Sequence, residues 1–426
     1  MNGPADPGHR LFEALSAVIS RRDWALRLWD GRSYGERNAP AFTITLSDRR
    51  CLDRLIGAHP ERGFGRAYVD GYIDIEPLEP FLDASTTVPP RKILAAAPSL
   101  LRAALALGAR PDWHPVRIAE ARLRGRRHSR ARDAEAVRHH YDLPAEFFRL
   151  FLDESMTYTC AYFENGDDTL AQAQRAKLDL VCRKLRLQPG ETLLDIGCGW
   201  GSLAIHAARE YAVHVVGVTL SAAQVDVARD RVRDEGLADR VEIRLADYRD
   251  PLRRTFDAVA SVGMIEQVGR EKMAEFGEVV HRALRPGGRA LIHGITTLPH
   301  LRWSRTGFTN VFVFPDGELQ DIGFVHQALE AAGLELRDDE NLREHYARTT
   351  RMWVRNLEEH WDEAVRLAGR GRARVWRLYM IGASVGFVNG SLSLHQSLVV
   401  RRFADGGSAL PLTRDDWFRG HGAQHT

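Results

Sequence analysis

From residue 136 onward, apolar residues come in short uninterrupted runs separated by stretches with helical spacing. Leu193 to Ile196 reads as a buried strand, followed by a glycine-rich loop and a helix to about Glu210. Val213 to Val218 predicts a second strand, with a helix from about Ser221. Val241 to Leu245, Ala258 to Val262 and Arg289 to Ile295 predict three more, and a helix ends near Leu284 before RPGG. Strands alternating with helices imply a parallel sheet covered on both faces. Residues 10–90 differ. Ala41 to Leu46 alternates like a half-buried strand, and Gly63, Gly65 and Gly71 suggest turns between short elements. Pro89 and Pro90 close this part, and 91–109 is apolar and helical. The pattern predicts a small α+β domain over 1–90, a connector over 91–135 and an α/β domain over 136–426.

Composition narrows the classes. Of 426 residues, 44% are apolar and 27% charged, which excludes wholesale disorder, collagen-like repeats and a polytopic membrane protein. Four cysteines without a CxxC pair predict neither a disulfide framework nor a zinc site, and no metal is expected. The opening MNGPADPGHR lacks a signal-peptide pattern. The apolar stretch Ile93 to Leu107 is broken by Pro98 and Arg102 and is too short to span a bilayer. A cytoplasmic, reducing setting is expected. Basic residues number 59 against 57 acidic, yet residues 1–135 hold 22 basic and 17 acidic. Much of that excess lies between Arg117 and Arg132. A solvated linker is one reading of this run; a contact for anionic lipid headgroups is the other. Nucleic acid is not expected, since no nucleic-acid motif and no aromatic interleaving accompany it.

The strongest local signal is LLDIGCGWGS, Leu193 to Ser202. A strand ends at Asp195, and Gly197, Gly199 and Gly201 permit a tight turn with backbone close to a ligand. The D-x-G-x-G form resembles the first motif of class I S-adenosylmethionine-dependent methyltransferases. In most such folds the second strand ends in an acid that binds ribose; here it ends in VGVTLSAAQ. That segment is similar to the cyclopropane-fatty-acid synthases and the mycolic-acid cyclopropane synthases. HHYDLPAEFFRLFLDESMTYTCAYF, ADYRD, SVGMIEQVG, LIHGI, FPDG and EHYARTTRMW extend the resemblance over about 136 to 400. GFGRAYVDG resembles the smaller N-terminal domain of the phospholipid-acting members.

The resemblance implies a Rossmann-like class I methyltransferase, a mostly parallel, doubly wound α/β sheet, with a smaller N-terminal α+β domain. It implies transfer of a methylene group from S-adenosylmethionine to a cis double bond of an unsaturated phospholipid acyl chain. A cyclopropane ring then forms through a carbocation deprotonated by bound bicarbonate. The alternative is a fatty-acyl C-methyltransferase giving a methylene- or methyl-branched chain. The family's bicarbonate cage maps onto Cys160, Glu266, His293, Ile295 and Tyr346, with Cys160 and Ile295 offering backbone groups. Its cofactor contacts map onto Tyr158, Thr159, Asp195, Gly197, Gly199, Gly201, Thr219, Leu220, Ser221, Gln224, Asp247 and Tyr248, with Asp247 suited to the adenine amino group. Phe308, Phe312, Phe314 and Trp353 are candidates for lining an acyl tunnel. Each residue also has a plainer reading: a core histidine, a capping glutamate, a half-buried tyrosine.

Gln267 stands where the family usually has histidine, Phe312 replaces a tyrosine, and Arg66 stands at an often acidic position. Such changes bear on whether the cation closes to a ring or shifts a hydride first; the retained His293 favours closure. A substrate held in a membrane implies peripheral association with its inner face, expected through the Arg117–Arg132 run and the apolar segment before it. A homodimer is frequent in the family.

Overall fold

The computed structural model describes residues 6–56, 60–86, 88–110, 120–141, 143–252, 254–301 and 304–417. The chain forms two compact units. The first takes in residues 1–122, 304–315 and 354–389; the second takes in 123–303, 316–353 and 390–426. Two late segments thus return to the N-terminal unit, which the contiguous limits read from the sequence do not include.

The first unit holds a four-stranded sheet of β1 (Ala25–Arg27), β2 (Ser33–Gly35), β3 (Thr43–Leu46) and β4 (Ile73–Glu76), in the order β2-β1-β3-β4. Its core gathers Trp24, Phe42, Tyr68 and Ile75 with Phe308, Phe312 and Leu378 from the returning segments. Phe308 and Phe312 are therefore core residues of this unit. Gly71 turns with φ 78°, as expected. Gly63 and Gly65 do not mark turns; both lie inside the helix Pro60–Val69. Their lack of Cβ is used for packing. A Cβ at Gly65 would collide with the Phe308 ring, and one at Gly63 would stand 2.7 Å from the Arg54 carbonyl oxygen.

The second unit is built on seven strands: β5 (Thr192–Ile196), β6 (His214–Thr219), β7 (Val241–Leu245), β8 (Phe256–Val262), β9 (Leu284–Thr297), β10 (Glu335–Asn341) and β11 (Leu392–Val400). Their order is β10-β11-β9-β8-β5-β6-β7. All neighbours are parallel except at β11, which runs antiparallel to β9 and β10. Alternate residues feed two cores. Leu193, Val215 and Ala258 face the helices Leu170–Lys184 and Ser202–Tyr211, while Leu194, Val216 and Val259 face Met273–Ala283 and Ile322–Ala331. Burial on both faces explains why these strands read as unbroken apolar runs. β10 (ELRDDEN) is an edge strand with one large apolar residue, so it leaves no hydrophobic pattern to read.

Three of the six described arginines of the run are committed within the chain. Arg127 and Arg132 both pair with Asp316, and Arg130 pairs with Asp250. Arg117 lies outside the described residues. These three guanidinium groups have intramolecular carboxylates, whereas Arg122, Arg124 and Arg126 are exposed. Among the described residues no helix is long and apolar enough to cross a membrane.

Candidate active site

Strand order reverses at β5: β6 and β7 follow on one side, β8 and β9 on the other. The crevice at the carboxyl ends of strands at such a switch point is where open α/β sheets bind ligands. Two adjoining cavities open there, and both are lined by Tyr141, Gly197, Gly199, Gln224 and Gly263. The first continues over Tyr158, Thr159, Lys177, Asp195 and Trp200, the second over Thr219, Leu220, Tyr248, Arg249 and Met264.

The loop after β5 needs its glycines. Gly197 (φ 83°) and Gly199 (φ 54°) hold left-handed backbone against the cavities. Gly201 (φ 84°) stands outside the lining; it opens the helix Ser202–Tyr211, where a Cβ would sit 3.3 Å from the Ala228 Cβ. At the end of β6, the Thr219 hydroxyl donates to Gln224 Oε1 at 2.8 Å. Ser221 caps the next helix by accepting from the Gln224 amide at 3.3 Å, so it shapes the wall without lining it.

The first cavity carries opposite charges. Lys177 Nζ donates to Thr159 Oγ1 at 2.8 Å and is almost wholly buried. Burial pulls its ammonium down to about 8, opposed by Cys160, Asp153 and Asp195. Burial likewise pushes the Asp195 carboxyl up to about 7, with Lys177 pulling it back. Asp195 Oδ2 is buried without a hydrogen-bond partner among the described residues. Tyr158 stacks on His140 at 5.8 Å and packs against Trp353 at 5.2 Å.

Asp247 is placed beside the second cavity, but its carboxylate is engaged. Arg249 donates to it through Nε at 2.7 Å and Nη2 at 2.6 Å. Burial raises this carboxyl, yet the Arg249 hydrogen bonds prevail and hold it below the usual range. The face turned to the cavity is that of Tyr248 and Arg249.

Of the five residues of the expected cage, Glu266 bonds Ile295, Cys160 and Tyr346 share a contact at Leu342, and His293 bonds Gln396. Glu266, on the short helix Ile265–Val268, accepts the Ile295 amide at 2.6 Å. The Ile295 N–H is thus spent inside the protein. Glu266 Oε2 is buried and unpartnered among the described residues, and burial pushes this carboxyl up to about 7. His293, two positions before Ile295 on β9, is buried; the Gln396 amide nitrogen lies 3.1 Å from its Nδ1, and its Nε2 has no partner among the described residues. Burial, with Lys177 and Lys184 beside it, holds His293 well below the usual imidazole range, hence neutral. Cys160 and Tyr346 meet at Leu342: the Cys160 thiol lies 3.8 Å from the Leu342 carbonyl oxygen, which also accepts the Tyr346 amide at 3.1 Å. Burial pushes the Cys160 thiol far up, which makes it an inert neutral thiol.

Glu266 Oε2 and His293 Nε2 are thus both buried and unpartnered among the described residues, and neither residue lines the two cavities. The raised Glu266 carboxyl has a consequence for stability. An unfolded glutamate ionises near its ordinary value, so between about pH 4.5 and 7 the folded form binds more protons and stability falls as pH rises. Glu266→Gln is expected to remove roughly 3 kcal/mol of that fall. Melting curves from pH 5 to 8 check this; parallel wild-type and variant profiles would refute it.

Lys177, Tyr141, Arg249 and Gln396 were not singled out from the sequence. A signal existed for the first: Lys177 and Lys184 are two of only four lysines, and both sit in the buried stripe of Leu170–Lys184. For Gln396 there was none.

A mostly parallel seven-stranded sheet with one reversed strand and a glycine loop at its switch point is the class I methyltransferase fold. Within that class the chain belongs to the mycolic acid cyclopropane synthetase family, whose model matches residues 128–397. A "probable fatty acid methyltransferase" of Pseudomonas putida is 39% identical over 401 residues, covering 92% of this chain and 96% of that protein. A second protein so described, from Mycobacterium tuberculosis, is 40% identical over 398 residues, covering 90% and 92%. The crystal structure of mycolic acid cyclopropane synthase CmaA1 complexed with SAH and CTAB superposes with a TM-score of 0.59. It is 35% identical and covers 62% of this chain and 97% of that one.

Proposed function

We propose that this chain transfers the methyl carbon of S-adenosylmethionine to a cis double bond of a fatty acyl chain and releases a methylene-branched product. The supporting observation is the first cavity: it sets one carboxylate, Asp195, and one ammonium, Lys177, where an amino-acid zwitterion would lie. The adjoining cavity offers Tyr248, Leu220 and Met264 to an adenosine-sized group. The relative CmaA1 was crystallised with SAH.

An alkene is a weak nucleophile, so the site must hold it against the sulfonium methyl. Methyl transfer leaves a cation on the chain. A hydride shift followed by proton loss from the new methyl gives the branched alkene; direct proton loss with ring closure gives cyclopropane. Both routes require a base and exclusion of water. Bicarbonate, when bound, would supply that base, held by His293 Nε2 and the Glu266 carboxyl. Tyr346 and the Cys160 backbone complete the proposed cage. The branched product takes precedence over the ring because the relatives that match across both units are described as fatty acid methyltransferases. The second reading, a cyclopropane ring, is favoured by the family description.

The test is mass spectrometry of acyl chains after incubation with S-adenosylmethionine and cis-monounsaturated phospholipid. Gain of one CH2 with a double bond that hydrogenates under mild conditions is expected. The same gain with resistance to hydrogenation would establish the ring instead. No gain, with cofactor bound, would overturn the acyl acceptor.

A further inference from the structure

The helix Pro90–Ala106 buries the wrong residues for a soluble helix. Its inward face is alanine: Ala96, Ala103 and Ala104 are buried where it packs against the helix Pro7–Val18. Leu100 is half-buried against the core of the first unit, but the other large residues point out. Leu94 is 73% exposed, Leu105 52%, Leu101 45% and Ile93 37%. Four of the ten exposed large apolar side chains among the described residues thus lie on this one helix. At ~100° per residue, Leu94, Pro98, Leu101 and Leu105 share an arc of roughly 60°, opposite Ala96 and Ala103. Single exposed leucines need no explanation, but a contiguous stripe marks an interaction surface.

The charges on the same helix select the partner. Arg91, Lys92 and Arg102 are exposed, and the seventeen residues contain no aspartate or glutamate. Arg102 makes only local contacts, to the Pro98 carbonyl oxygen and the Ser99 hydroxyl. An apolar stripe flanked by unopposed cations matches the boundary of an anionic bilayer, with leucines in the acyl region and cations at the headgroups. Pro98 costs no core packing here, because it lies on the outward face.

We infer that the outward face of the helix Pro90–Ala106 docks the protein, lying in the plane of the interface, on membranes containing anionic phospholipid. This inference rests on the acyl-lipid reading above and narrows the expected contact to one face of the apolar segment before the arginine run. It is the only step that needs a lipid surface; methyl transfer does not.

The test uses the full chain with vesicles of phosphatidylcholine alone or with about one-third phosphatidylglycerol. Wild type is expected to sediment with the anionic vesicles at least tenfold more strongly than with neutral ones, and less as salt rises. The double variant Leu94→Glu/Leu101→Glu is expected to lose at least tenfold of that binding. Leu412→Glu, at a similarly exposed leucine elsewhere, is expected to lose none. Cofactor binding by calorimetry controls for folding. Turnover of detergent-dispersed unsaturated phospholipid should be unchanged in both variants, whereas turnover on vesicles should fall only in the first. Equal vesicle binding by wild type and the double variant would overturn the docking face and leave the enzymatic reading standing. A wild-type dimer that the double variant converts to a monomer, with vesicle binding unchanged, would overturn it in favour of a second copy. Loss of turnover on dispersed substrate by wild type itself would strike the acyl-lipid reading instead.

Discussion

His293→Ala lowers turnover roughly 10²- to 10⁴-fold, the range in which a positioned proton-handling group contributes, while S-adenosylmethionine binding stays within about twofold. The expectation comes from a chain of donors that assigns the imidazole proton. Lys184 Nζ, a donor only, lies 2.8 Å from one terminal atom of the Gln396 amide, which must therefore be the oxygen. The amide nitrogen then faces His293 Nδ1 at 3.1 Å and donates to it. Nδ1 is an acceptor, so neutral His293 carries its proton on Nε2, the buried atom without a partner. Glu340 pairs with Lys184 at the far end. Gln396→Leu removes this assignment without touching Nε2, and about a tenfold loss of turnover is expected. Nitrogen-15 spectra of the histidines should show a pure Nε2–H tautomer for His293 in wild type and a mixture in the variant. A Nδ1–H tautomer in wild type would sink the argument, whatever the activity.

Lys177→Met weakens S-adenosylmethionine binding by roughly 30-fold or more, the loss expected when one of two buried opposite charges is removed. Lys177 and Asp195 line the same cavity, and each perturbs the other: the ammonium restrains the rise of the Asp195 carboxyl. Without it Asp195 becomes neutral near pH 7, and both charges facing a zwitterion are lost together. Thermal stability should fall as well, because removing one partner leaves the buried Asp195 and the Thr159 hydroxyl uncompensated. Calorimetric titration with cofactor, set beside a melting curve, separates the two effects. An unchanged dissociation constant would remove Lys177 from the binding site.

The strand and loop signals were legible because they are local. β5 and β6 were read to within one residue because strands buried on both faces must be apolar throughout, while the edge strand β7 (VEIRL) was read to the residue with only Val241 and Ile243 buried. The turns at Gly197 and Gly199 were legible because positive φ excludes most side chains. Gly63 and Gly65 misled for the same reason: glycine marks absence of a side chain, and whether that serves a turn or a close helix contact depends on what packs there. Asp247 illustrates a further limit, since its carboxylate is shared out to Arg249 by side-chain geometry that spacing does not encode.

By itself the sequence determined the α/β class, the succession of β5 to β9 along the chain and the loop on which a cofactor would rest, all consequences of short-range patterning. The tertiary structure alone decided that segments 304–315 and 354–389 complete the first unit, and that β10 and β11 extend the sheet. It alone joined Lys184, Gln396 and His293 into one hydrogen-bonded line, and turned leucines outward on the helix Pro90–Ala106. Periodicity reports that a residue is suited to burial. Which distant residue it meets, and whether it is buried at all, is decided only when the chain closes on itself.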